Sequence, residues 1–129
     1  MRSYNPDKTP DPQQWLSLAE EKRIQLAEKY HRAEKIKLPN VRVHAAFHAM
    51  VENQLSAGVQ EVVRAMERLA KQGLSRHDCI HAIGWVLAQH LYEIATTETQ
   101  DSPEVTNARY AAAIERLDAK SWREQAGGE

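Results

Sequence analysis

Between Gly58 and Gly73 the apolar residues Val59, Val62, Val63, Met66, Leu69 and Ala70 recur at i, i+3 and i+4, a spacing that an α-helix turns onto one face. A glycine at each end offers the left-handed backbone with which helices stop. The same punctuation frames the rest of the chain. Asp11 before Pro12 is a cap and first-turn pair. It opens a long helix carrying Trp15, Leu18, Ala19, Leu26, Tyr30 and Ala33 before Pro39 stops it. Asn40 caps a second helix running to about Ala57, and the stretch ending at Gly73 is the third. Ser75, followed by Asp78, resembles a capping box that starts a fourth helix reaching about Thr97. Asp101-Ser102-Pro103-Glu104 starts a fifth, whose stripe is Tyr110, Ala113, Ile114 and Leu117. No segment reads as a strand. The expectation is an all-α fold, a compact bundle of about five helices in a single domain over 1–129, with 1–10 and 126–129 loose.

Composition narrows the function classes. A chain of 129 residues that is 42% hydrophobic and 27% charged is suited to one folded core rather than to disorder. Seventeen basic against eighteen acidic residues leave a formal charge of -1, without the positive excess that draws a phosphate backbone, so no nucleic-acid partner is expected. The single cysteine, Cys79, excludes an internal disulfide and a Cys-rich zinc site. The first residues lack the apolar core of a signal peptide, and no stretch approaches the ~18 apolar residues of a membrane span. A cytoplasmic protein without a membrane partner is expected.

Chemistry concentrates in the histidines. Four of the six form two i, i+4 pairs, His44 with His48 on the second helix and His77 with His81 on the fourth. That spacing stacks two imidazoles one turn apart, as a helix must to offer two nitrogens to one metal ion. The short junctions at Gly58 and Gly73 make helices two, three and four run up, down and up, with both pairs near the same end. The four rings converge if helices two and four touch. Glu52 continues the line of His44 and His48 as a candidate carboxylate ligand or base. Gly84, after His81, leaves room for close helix approach or a ligand. Imidazole and carboxylate together permit zinc, iron, nickel or manganese. Arg42 and Arg76, early in the same two helices, could instead hold a small anionic ligand there. The bland reading stands beside these: His44 and His48 flank an apolar stripe of Val43, Phe47 and Met50 and could be hydrogen-bonded boundary residues.

Other signals carry less. Glu28-Lys29-Tyr30-His31 has the Glu-x-x-His spacing of di-iron carboxylate bundles but occurs once where two are needed, so it reads as solvated surface. His31 and His90 have no ligand partner at helical spacing. His77-Asp78-x-x-His81 departs from the zinc-protease motif by an Asp one methylene short of the catalytic Glu, and Asp78 reads as a capping residue. The His77-Asp78 doublet also resembles that of metal-dependent phosphohydrolases, which are all-helical, but Ser75 and Arg76 put it at a helix start rather than in an apolar setting.

Residues 38–94 are similar to a family of small bacterial proteins defined as a domain of unknown function. The resemblance rests on Leu38-Pro39 leading to His44-x-x-x-His48-x-x-x-Glu52-Asn53-Gln54-Leu55, and on Gly73-Leu74-Ser75-Arg76-His77-Asp78-x-x-His81-Ala82-Ile83-Gly84. Family members often carry proline just after the glycine matching Gly58, where this chain has Val59-Gln60. The resemblance implies that His44, His48, Glu52, Asn53, Gln54, His77 and His81 belong to one motif, and it implies no activity. The expectations from the residues are a metal or anion site between the second and fourth helices, using His44, His48, Glu52, His77 and His81, or a non-catalytic interaction or homo-oligomerisation module with structural histidines, with a metal-dependent phosphohydrolase as the lesser enzyme alternative.

Overall fold

The computed structural model describes residues 1–36, 38–97 and 101–125, and helix is the only regular structure among them. The helices are α1 (Pro12–Ser17), α2 (Glu20–Ala33), α3 (Val41–Ser56), α4 (Gln60–Lys71), α5 (Arg76–Thr96), α6 (Pro103–Arg116) and α7 (Ala119–Gln125). Four starts were legible as caps. Asp11 accepts from the Gln14 N–H, Asn40 from Val43, Ser75 from Asp78 and Ser102 from Val105. Each supplies an oxygen to a first-turn donor that would otherwise lack one.

Among the described residues seven helices stand where five were expected. The first is broken at Leu18 and Ala19, both extended. Arg23 bridges the break, donating to the Leu16 carbonyl at 2.8 Å and to Asn53 Oδ1 at 3.0 Å. The missed signal is Glu20-Glu21, an acidic first turn that suits the positive end of a new helix dipole. After α6 the chain adds α7, whose start is held by Asp118 accepting from the Ser121 N–H at 2.7 Å.

The chain divides into two compact units, Met1–Val59 and Gln60–Glu129. In the first, α3 packs on α1 and α2 around Tyr4, Trp15, Leu26, Ala27, Ala45 and Ala49. Alanines at 45 and 49 lie one turn apart on α3 and let a neighbouring helix come close. Trp15 is fully buried, and its indole N–H donates to Asn53 Oδ1 at 2.9 Å, which answers the polar end of an otherwise apolar ring. Residues 1–10 are not loose: Tyr4, Pro6 and Pro10 are buried. The expectation for 126–129 lies outside the described residues.

In the second unit α4 packs on α5 and α6, burying the stripe Val62, Ala65 and Leu69. Arg68 from α4 donates to the carbonyls of Ile114 and Leu117 at 2.7 and 2.9 Å, adding side-chain donors to the last carbonyls of α6, where helical partners run out. No described helix is long and apolar enough to cross a membrane.

Candidate metal centre

The inward face of α3 is not the apolar stripe of Val43, Phe47 and Met50. Val43 is 49% exposed, whereas His48 and Glu52 are buried together with Ala45 and Ala49. A helix that turns an imidazole and a carboxylate inward needs polar partners for both, because an unmatched polar group in an apolar interior costs ~1–3 kcal/mol. The first unit supplies them.

His44 and His48 stack as their spacing requires, with ring centroids 4.8 Å apart. Their Nε2 atoms lie 3.1 Å from each other. The third ring is one the sequence reading set aside. His31, at the end of α2, is fully buried rather than solvated, and its ring centroid lies 4.6 Å from both His44 and His48. Each of the three offers one nitrogen, and these lie within 4.8 Å of one another. The faint signal for His31 was its place one turn after buried Ala27. A lone histidine shows no spacing of its own, because its partners are on another helix.

Hydrogen bonding selects the nitrogens available. His31 Nδ1 lies 2.7 Å from the Ala27 carbonyl. A carbonyl only accepts, so the hydrogen is on Nδ1 and the lone pair on Nε2. Burial lowers the His31 pKa below the ordinary imidazole value, against the opposing pull of the Ala27 carbonyl, so the ring is neutral at pH 7, the form that ligates a metal. His48 is set in the same sense. The Tyr4 hydroxyl donates to Glu52 Oε2 at 2.6 Å and lies 3.3 Å from His48 Nδ1. With its proton given to the carboxylate, the phenol oxygen accepts from Nδ1–H and leaves the His48 lone pair on Nε2.

A proton shared by two Nε2 atoms and an ion held by both need nearly the same separation. It is 3.1 Å here and about 3.3 Å between two ligands of a tetrahedral ion with metal–nitrogen bonds of ~2.0–2.1 Å. Three imidazoles also match a common catalytic ligand set, which leaves a fourth position for water or substrate.

In the second unit His77 and His81 stack at the start of α5 with ring centroids 4.2 Å apart. Asp78 is a first-turn residue whose N–H donates to Ser75 Oγ at 3.1 Å; its carboxylate lies 3.8 Å from His81 Nδ1. Cys79 between them is buried. Burial first, then the Asp78 carboxylate, pushes its thiol up to about 11, so it is no thiolate ligand at neutral pH. Gly84 is buried. Arg42, read as a possible anion contact, donates to both oxygens of Glu21 at 2.7 and 2.6 Å and ties α3 to α2. Asn53, expected in the motif, serves the fold as acceptor for Trp15 and Arg23. No family model, curated protein or solved structure matches the chain.

Proposed function

We propose that this protein binds a divalent transition metal through imidazole, at the cluster of His31, His44 and His48. The observation that carries the reading is the convergence of three rings, two with the hydrogen placed on Nδ1 by a neighbouring acceptor. Such second-layer orientation is what metal-bound histidines receive. Zinc, iron, nickel and manganese fit a nitrogen-rich set, and an ion there would supply Lewis acidity at its remaining position. His77 and His81 are assigned to the same chemistry on their i, i+4 spacing, and Glu52 as a carboxylate beside the ligands.

The test is elemental analysis of protein purified without a histidine tag or chelator, beside a His44→Ala, His48→Ala variant and a His77→Ala, His81→Ala variant. The expected result is close to one transition metal per chain, lost in the first variant with helicity retained. Retention in the second variant confines the ion to the first unit's trio; loss assigns His77 and His81 to it. Metal-free protein that takes up none of the four ions overturns the proposal. The function would then be the interaction module, whose apolar surface would include Leu91, Tyr92 and Ile94, exposed on the last turns of α5.

A further inference from the structure

The residue that most changes the meaning of the cluster lies ahead of the first helix. Tyr4 is 4% exposed, and its ring packs at centroid distances of 5.5 Å from Trp15, 6.5 Å from Tyr30 and 6.1 Å from His48. Three rings therefore hold its position. Its hydroxyl joins two groups of α3, donating to Glu52 Oε2 at 2.6 Å and standing 3.3 Å from His48 Nδ1. Glu52 is fully buried, so its oxygen has little bulk water to compete with the phenol.

The order of donors is set by chemistry. A phenol has one hydrogen, and the short contact gives it to the carboxylate. The oxygen is then an acceptor toward His48, which must carry its hydrogen on Nδ1 and turn the Nε2 lone pair toward His44. A carboxylate pulling on the phenol proton makes that oxygen a stronger acceptor, which in turn makes the far ring nitrogen more basic. Tyr4 thus does for His48 what the Ala27 carbonyl does for His31.

We propose that Tyr4 is a positioning residue of the metal site: anchored by Glu52, its hydroxyl fixes the tautomer and aim of His48 as a ligand. This rests on the metal reading above and adds to it a residue outside every histidine motif. Through Tyr4 the segment ahead of α1 becomes part of the site.

The test is cobalt(II) titration of the full chain, followed by the visible ligand-field bands, for the wild type, Tyr4→Phe, Glu52→Gln and Trp15→Phe. Tyr4→Phe keeps the ring and removes the hydroxyl. Its expected effect is cobalt binding weakened about 10- to 100-fold, the range for loss of an outer hydrogen-bond partner, with altered bands. Glu52→Gln keeps a side-chain oxygen that accepts from Tyr4 and should fall between the wild type and Tyr4→Phe. Trp15→Phe keeps an aromatic ring against Tyr4 and removes no hydrogen bond of the Glu52–Tyr4–His48 chain, and should keep the wild-type bands and affinity. Wild-type affinity and bands in Tyr4→Phe would overturn the role of Tyr4 and leave the metal reading intact. Equal losses in Tyr4→Phe and Trp15→Phe would also overturn it, because general loosening of the core would then explain both. A wild type that takes up no cobalt would overturn the metal reading and this role together.

Discussion

Burial holds His31 neutral, and that has a cost that pH reveals. In the unfolded chain its imidazole titrates near the ordinary 6.5, while in the fold its pKa is lower, chiefly because burial penalises the charged ring. Between the two values the unfolded chain binds a proton that the folded chain does not. Stability from this residue is therefore full above pH 6.5 and is lost as the pH falls toward the folded value. Urea unfolding in the presence of chelator should show a midpoint that drops on acidification from neutral pH, with part of the slope absent in His31→Gln. An unchanged slope in that variant would remove His31 as its source. His44 and His48 could be picked out from their spacing because both rings lie on one helix. His31 and Tyr4 could not, because what gives them meaning is contact with α3, and no local periodicity encodes a partner on another element.

Helix endings show how much local chemistry can decide. Three helices stop with the same pair of reversed hydrogen bonds. At the end of α3, Gly58 and Val59 donate to the carbonyls of Leu55 and Gln54; at the end of α4, Gly73 and Leu74 donate to Ala70 and Leu69. Both glycines have positive φ, 74° and 98°, as their place after an apolar run foretold. At the end of α2, Lys35 and Ile36 donate to Arg32 and His31, and the left-handed position, φ 58°, is held by lysine. A side chain there costs about 1–2 kcal/mol relative to the right-handed form, a cost that glycine escapes. Lys35→Gly should therefore raise stability by about 1 kcal/mol after the added freedom of the unfolded glycine is subtracted, read as an upward shift of the denaturation midpoint with unchanged slope. A fall in the midpoint would mean that the lysine side chain supports the turn. The split of α1 from α2 was less legible, because the break is held by Arg23 reaching to Leu16 and Asn53, and the second of these lies on α3.

Over the whole molecule, the first unit, Met1–Val59, contains the complete imidazole trio with both groups that orient it. An ion bound to the folded arrangement and not to the unfolded chain stabilises by mass action, about 2.7 kcal/mol when its free concentration is a hundred times Kd. Thermal unfolding should accordingly shift upward by several degrees on adding zinc or nickel, return with chelator, and stay fixed in the His44→Ala, His48→Ala variant. A wild-type Tm indifferent to saturating metal would contradict a site that exists only in the fold.

Helical class, the caps at Asp11, Asn40, Ser75 and Ser102, the stops at Gly58 and Gly73, and the pairing of His44 with His48 and of His77 with His81 are properties of neighbours within a few residues. They follow from backbone geometry and can be read in one dimension. The inward turn of Glu52, the burial of His31 and the use of Tyr4 were decided by tertiary structure alone. Each depends on residues far apart in the chain meeting in one unit, where exclusion of water makes the match of donor to acceptor decisive.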